Sequence, residues 1–407
     1  MTRQQQQQQQ QQLIPGHIID QTYQIHRLLG AGAYAHVYLA RDVMDDDDTS
    51  WYAIKSLPPC LHAKQRGLQR TEIGLHARLS SHPNIISLEK VIRLPSSSSS
   101  SKAPSMDAVT THMVLEYSPE GDLFTCITER NLYANQPLMI QHVFLQLIHA
   151  VRHCHQSGVY HRDLKSENIL VFDGGWTVKL GDFGLATTDT ISKDYGCGST
   201  FYFSPECQGD FDEQRLGYAT APNDMWSLGI ILINLMTGRN PWHRASIHDP
   251  AFRMYMMDPS ILMTMLPSIS APVHAILKQL LSIDPLQRMS LDQLEQAILQ
   301  CPTFTNNNSR MPPINITKSQ QQQQQQLLPS PPTTPNRPSF VFVGKKEEDD
   351  DHDMLLESDL DEEDDDDDNL LFSPLETPVS QQQPLLADNE KQAADYIFLS
   401  NFSTLAI

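Results

Sequence analysis

The chain of 407 residues carries 29 Lys+Arg against 49 Asp+Glu, a formal net charge of −20, and its 40% hydrophobic residues suffice for a sizeable core. The acidity is uneven: residues 13–304 hold 22 basic and 29 acidic side chains, whereas residues 305–407 hold 6 and 20. An acidic chain without a Lys/Arg cluster argues against nonspecific nucleic-acid binding and against anionic membrane surfaces, and no apolar stretch approaches the ~20 residues of a membrane-spanning helix.

In chain order, Met1-Thr2-Arg3 leads into the tract Gln4–Gln12 without an apolar signal region, and residues 1–17 read as a disordered Gln-rich N-terminus. Order is expected from about Ile18. Tyr23 to Leu29 reads as a strand that runs into Gly30-Ala31-Gly32-Ala33-Tyr34-Ala35-His36-Val37, followed by strands from Val37 to Arg41 and Trp51 to Lys55, with Asp45–Asp48 as the polar turn between them. A helical pattern covers Arg70 to Leu79, His82-Pro83-Asn84 breaks it, and Ile85 to Arg93 reads as strand. Pro95 to Ser105, with six consecutive serines, reads as a flexible insertion before the buried strand Met113 to Tyr117. After Gly121-Asp122-Leu123 the apolar positions recur at helical spacing over Met139–Cys154, Trp226–Met236 and Val273–Leu281, and the last helix ends near Cys301. This order implies a small β-rich lobe, about 18–117, followed by a larger helical lobe, about 118–304. Residues 305–407 have the composition of disorder: Gln320–Gln326, the run Pro329 to Pro335, and 16 acidic residues within 347–368.

Between the helical stretches Met139–Cys154 and Trp226–Met236 lies His161-Arg162-Asp163-Leu164-Lys165-Ser166-Glu167-Asn168, which reads H-R-D-L-x-x-x-N. Strand-like runs flank it, Val159-Tyr160 before and Ile169 to Phe172 after. Asp182-Phe183-Gly184 then follows a further strand from Thr177 to Gly181. On these motifs, Tyr23 to Phe304 resembles the eukaryotic protein-kinase domain from end to end. Leu75-His76-Ala77-Arg78, Ile231 to Leu235 and Gly238-Arg239-Asn240-Pro241-Trp242 resemble more narrowly a fungal group of serine/threonine kinases tied to nutrient signalling and the choice between mitosis and meiosis.

The resemblance implies an α+β, two-lobed fold with ATP and magnesium between the lobes. Asp163 would accept the proton of the attacking hydroxyl, Lys165 would neutralise the transferring phosphoryl group, and Asn168 and Asp182 would hold Mg2+. Gly30 and Gly32 would let backbone amides approach the phosphates, with Val37, Ala53 and Leu115 walling the adenine; Ala35 stands where a third glycine is usual. Lys55 would reach the phosphates, held by Glu72. Glu116 and Ser118 would offer backbone hydrogen bonds to the adenine. Asp122 would meet the ribose or a basic substrate residue, and Glu167 could also face such a residue. Glu206 would pair with Arg288, and Asp224 would cap the catalytic-loop backbone, both as architecture. Ser204 and Ser166 replace the Ala of A-P-E and a usual Pro.

Lys165 together with Thr200, whose hydroxyl is expected on Asp163, is a serine/threonine pattern, so the implied substrates are Ser and Thr hydroxyls of proteins. Because Arg162 precedes the catalytic Asp, an upstream kinase could act on Thr187, Thr188, Thr190 or Ser192 to order the activation segment. The opposing reading is a segment ordered by packing, or by Asp189 or Asp194 in place of a phosphate. Ser330, Thr334, Ser373 and Thr377, each followed by Pro, look like further phosphosites, and the acidic run is a solvated spacer or an autoinhibitor. Cys60, Cys126, Cys154, Cys197, Cys207 and Cys301 show no metal or disulfide spacing, which suits a cytoplasmic protein and leaves the nucleus open. The rival from another class is a pseudokinase scaffold, which loss of Lys55, Asp163, Asn168 or Asp182 would favour.

Overall fold

A computed structural model describes residues 13–306 apart from 33–34, 46–49, 61, 96–108 and 210–215. The Gln4–Gln12 tract, the serine insertion, and the tail with Ser330, Thr334, Ser373, Thr377 and the acidic run lie outside the described residues. The first part of the chain forms a six-stranded sheet in the order β1-β2-β3-β4-β6-β5. Its strands are β1 (Ile18–Ile19), β2 (Tyr23–Ala31), β3 (His36–Asp42), β4 (Trp51–Leu57), β5 (Leu88–Pro95) and β6 (Val109–Glu116), all paired antiparallel. Alternation along each strand divides its side chains between two faces. One face buries Ile25, Tyr38, Ile54 and Val114; the other buries Leu57, Leu88 and Met113, with Ile73 and Ala77 packed against them.

Ile73 and Ala77 belong to α1 (Ala63–Leu79), which begins seven residues before the expected Arg70. The added turns are mostly exposed and polar, so they carry no apolar periodicity for a sequence reading to find. β5 likewise starts at Leu88 rather than Ile85, because Ile85 makes only a single bridge to Leu180.

The helical part follows: α2 (Leu123–Thr128), α3 (Pro137–Gln156), α4 (Pro205–Gln208), α5 (Thr220–Thr237), α6 (Pro250–Met257), α7 (Ile261–Met265), α8 (Ala271–Leu280) and α9 (Leu291–Gln300). α5 is buried around most of its circumference, its polar Asn223, Asp224, Ser227 and Asn234 included, and Ile230 through Ile233 are fully buried, as expected of a helix at the centre of a core. α2, α6 and α7 are too short to show a periodicity and are not predicted from the sequence pattern. Asp249 starts α6 by accepting hydrogen bonds from the amides of Ala251 and Phe252.

Two further two-stranded antiparallel sheets accompany the helices, β7 (Ile169–Phe172) with β8 (Thr177–Leu180), and β9 (Ile191–Ser192) with β10 (Tyr218–Ala219). The expected strand Val159-Tyr160 is absent. Tyr160 makes one bridge to Thr187, and the chain then turns at Arg162, whose φ is +63°. All six cysteines are free thiols. Among the described residues, no helix is long and apolar enough to cross a membrane.

Candidate active site

β4 has period-two alternation, so Ala53, Lys55 and Leu57 face the same way, toward α1. Lys55 Nζ lies 2.6 Å from Glu72 Oε1 on that helix and 2.8 Å from Asp182 Oδ1 beyond β8. The structure thus brings together the three charged groups that the sequence placed in separate elements. Desolvation of the cleft opposes both ionised forms, but the Lys55 ammonium holds Asp182 down to about 2, and the two carboxylates raise Lys55. Asp182 has φ +56°, a left-handed conformation that costs a non-glycine residue energy and is held here by its charge partner. The next side chain, Phe183, is 1% exposed between the rings of His76 (5.0 Å) and His161 (5.1 Å). Glu72 and His76 are one turn apart on α1, so the position of that helix governs the ion pair and the packing of Phe183 together.

The fully buried Asp224 of α5 accepts hydrogen bonds from the backbone amides of His161 and Arg162, both 2.9 Å, and from His155 Nε2 at 2.9 Å. These bonds hold Arg162 in its left-handed conformation and set the direction of the next residue. Asp163 is 9% exposed, and its Oδ2 accepts from Lys165 Nζ (2.7 Å) and Asn168 Nδ2 (3.1 Å). Asn168 Nδ2 also donates to the Asp163 carbonyl at 2.9 Å, which leaves its amide oxygen as the side for a cation. Asp182 and Asn168 offer hard oxygen donors, suited to a divalent cation that completes its shell on phosphates.

The hydroxyl on Asp163 is not that of Thr200. Ser199 Oγ donates to Asp163 Oδ1 (2.9 Å) and accepts from Lys165 Nζ (3.0 Å), while Thr200 is exposed. The preceding glycine decides this. Gly198 has φ +109°, and a Cβ there would lie 2.6 Å from the Arg162 carbonyl, so the backbone turns where only glycine fits and aims residue 199 inward. Of two adjacent hydroxyls, composition and spacing did not separate the right one.

The residues expected around a nucleotide line the same side of the sheet. Ala53 pairs in register with Leu115 and Lys55 with Met113, and Val37 pairs with Lys55 from the other side. Gly32 N donates to Ala35 O (2.8 Å). Neither Gly30 nor Gly32 has positive φ. A Cβ at Gly30 would meet nothing within 4 Å, and one at Gly32 only Ala35 O at 3.5 Å. The loop itself therefore makes no conformational demand for these glycines, and the room they keep suits phosphate oxygens on the amides. Ala35 packs against the cluster of Leu57, Leu88 and Met113. Glu116 pairs through its side chain with Lys179, and the Ser118 hydroxyl turns to Val171 O. Asp122 Oδ1 caps α2 by accepting from Thr125 N at 2.7 Å.

In the activation segment the Arg162 guanidinium is already occupied. Nε donates to Leu185 O (2.8 Å), and Nη1 donates to Ser192 Oγ and Asp194 Oδ2, both 2.9 Å. Ser192 is buried at 5% exposure, Thr187 bonds Tyr160 through its backbone, and Thr188 and Thr190 are exposed. Downstream, Glu206 and Arg288 pair through two bonds, one of them 2.8 Å, and Arg288 also donates to Pro222 O (2.9 Å) and lies over the Trp226 ring. Ser204 is fully buried; its hydroxyl donates to Asn223 Oδ1 (2.8 Å) and accepts from Cys207 N, so the Ala-to-Ser departure supplies the cap of α4.

Residues 23–299 match the family described as protein kinase domain. The chain is 42% identical over 327 residues to the negative regulator of sexual conjugation and meiosis of Schizosaccharomyces pombe, covering 76% of this chain and 65% of that protein. It is 35% identical over 298 residues to the serine/threonine-protein kinase ksp1 of the same yeast, covering 71% and 59%. Against the serine/threonine-protein kinase VHS1 of Saccharomyces cerevisiae it is 37% identical over 259 residues, covering 60% and 52%. The chain thus spans between about half and two thirds of the length of these relatives.

Proposed function

Because this chain belongs to the protein kinase domain family, we propose that it transfers the γ-phosphoryl group of ATP to serine and threonine hydroxyls of proteins. The observation that carries the reading is the convergence of Lys165, Asn168 and Ser199 on the Asp163 carboxylate. In this reading Asp163 orients the acceptor hydroxyl and takes its proton. Lys165, 2.7 Å away, neutralises charge that builds on the phosphoryl oxygens. Lys55, fixed by Glu72, holds the phosphates; Gly30 and Gly32 leave their amides open to them; Val37, Ala53 and Leu115 face the base. Asp182 and Asn168 would hold Mg2+, which would supply positive charge against the phosphates. The catalytic unit is residues 18–304, with an N-lobe to about 117 and a C-lobe from about 118.

The relative named as a negative regulator of conjugation and meiosis supports a role in nutrient or meiotic signalling. Asp194 beside Arg162 supports an activation segment ordered without a phosphate from an upstream kinase. A scaffold without transfer would be favoured by loss of Lys55, Asp163, Asn168 or Asp182, and all four are in place. The test is Mg2+-dependent transfer of labelled phosphate from ATP to a mixed Ser, Thr and Tyr peptide library, with Asp182→Asn as the comparison. Transfer to Ser and Thr that the substitution abolishes supports the reading; no transfer by the unaltered chain overturns it.

A further inference from the structure

Ser166 stands in the catalytic loop between Lys165 and Glu167 and is fully buried. A buried hydroxyl needs a partner, and this one lies 2.8 Å from the hydroxyl of Tyr202, itself 4% exposed, near the end of the activation segment. Tyr202 in turn lies 3.0 Å from Asn234 Oδ1 on α5. Counting protons fixes the direction of this chain. Both amide protons of Asn234 are committed, to Arg239 O and Asn240 Oδ1 at 2.8 Å each, so Asn234 Oδ1 accepts. With the Tyr202 proton on Asn234 Oδ1, which can only accept, Ser166 is the donor to Tyr202, and neither Asn234 Oδ1 nor Tyr202 Oη is left without a donor.

Two further bonds connect this relay to the reacting groups. Tyr202 N donates to Ser199 O (2.9 Å), and Ser199 is the residue whose hydroxyl meets Asp163. The Tyr202 carbonyl accepts from Ser227 Oγ of α5 at 2.9 Å. On the outer side, Glu167 Oε2 lies 3.2 Å from Ser166 Oγ and 3.4 Å from Tyr202 Oη, and the proton count sends both hydroxyl protons chiefly elsewhere. The exposed carboxylate of Glu167 thus keeps its capacity for a donor from outside the chain.

We propose that Ser166 is a positioning residue: by donating to Tyr202 it clamps the catalytic loop to the end of the activation segment and fixes the surface that receives the protein substrate. A proline at this place has no hydroxyl and could not make the bond. The clamp touches neither Lys55 nor Asp182, so it acts on the protein-substrate side alone. This inference rests on the kinase reading for its kinetic consequence, but the bond itself can be tested without it.

The experiment compares the full chain with Ser166→Ala, Tyr202→Phe, the double variant and Ser166→Thr. Ser166→Ala is expected to raise KM for a peptide substrate about 3- to 10-fold, the worth of one neutral hydrogen bond, with KM for ATP unchanged. Ser166→Thr, which keeps the hydroxyl, should restore most of the loss. In thermal unfolding, Ser166→Ala should lower the midpoint of the parent chain but not that of the Tyr202→Phe background, because the bond is already gone there. Equal midpoint shifts in both backgrounds would overturn the clamp, as would KM for ATP rising together with KM for peptide. Absence of transfer in the parent chain would reject the kinase reading, and the unfolding comparison would still decide whether Ser166 and Tyr202 are coupled.

Discussion

Replacing Ser199 by Ala removes one oxygen from the centre of the site and should show which hydroxyl serves Asp163. In the structure that oxygen donates to Asp163 Oδ1 at 2.9 Å and accepts from Lys165 Nζ at 3.0 Å. A hydrogen bond to a charged group is worth about 1.5–3 kcal/mol, and 1.36 kcal/mol is tenfold in rate. Asp163 keeps its bonds from Lys165 and Asn168 after the change, so the lower end applies and kcat should fall about 10- to 30-fold. KM for ATP should hold, because Lys55, Glu72 and Asp182 do not touch Ser199. Steady-state kinetics with one peptide substrate reads both quantities. Thr200→Ala, one residue away and exposed, should change kcat less than about twofold, and Ser199→Thr should retain most of the activity. If Ser199→Ala were as active as the parent, or Thr200→Ala the more damaging change, the hydrogen-bonding account of Asp163 would be refuted.

Three other outcomes follow from the same geometry. Mutating Thr187, Thr188 and Thr190 together to Ala should leave turnover unchanged, whereas Asp194→Ala should lower it several-fold by releasing Arg162; turnover lost in the triple variant, with phosphate mapped on those threonines in the active parent chain, would reverse this. Arg288→Ala should destabilise the fold by about 3–5 kcal/mol, because it strands the Glu206 carboxylate beside a buried site, and a stability loss of under about 1 kcal/mol in urea unfolding would contradict it. His76 is pushed down to about 4 by burial, against an ordinary value of 6.5. The folded state therefore refuses a proton that the unfolded chain takes up between those values. Its contribution is complete above pH 6.5 and falls away as the pH drops toward 4, amounting to about 2 kcal/mol lost by pH 5. Denaturant midpoints at pH 7 and 5 should differ more for the parent chain than for His76→Gln, and an equal difference would remove His76 as the cause.

Much of the fold and site was legible because the residues involved follow one-dimensional rules. Strand alternation places Lys55 beside Ala53 and helical spacing places Glu72 above His76, whereas the Asp224 and Arg288 pairings are implied by the resemblance to the kinase domain. The unread part depends on backbone handedness and on burial without periodicity. Gly198 at φ +109° selects Ser199 over its neighbour Thr200, and nothing in the residue types conveys that angle. The first turns of α1 are polar and exposed, so they left no pattern. Asp189 and Asp194 are equally plausible partners for Arg162 in the sequence, and only the turn after β9 places Asp194 on it. Ser166 shows in the sequence only as a departure from a usual Pro, because its partner Tyr202 is 36 residues away.

Asp163 is the group on which the catalytic reading turns, since Lys165, Asn168 and Ser199 all converge on it. The decisive measurement is phosphopeptide mapping after incubation of a mixed Ser, Thr and Tyr library with ATP and Mg2+, using the parent chain and Asp163→Asn. The account predicts phosphate on Ser and Thr with the parent chain, its loss by at least about 100-fold in Asp163→Asn, and ATP binding retained in both. Equal incorporation by Asp163→Asn, or phosphate confined to tyrosine, would contradict it.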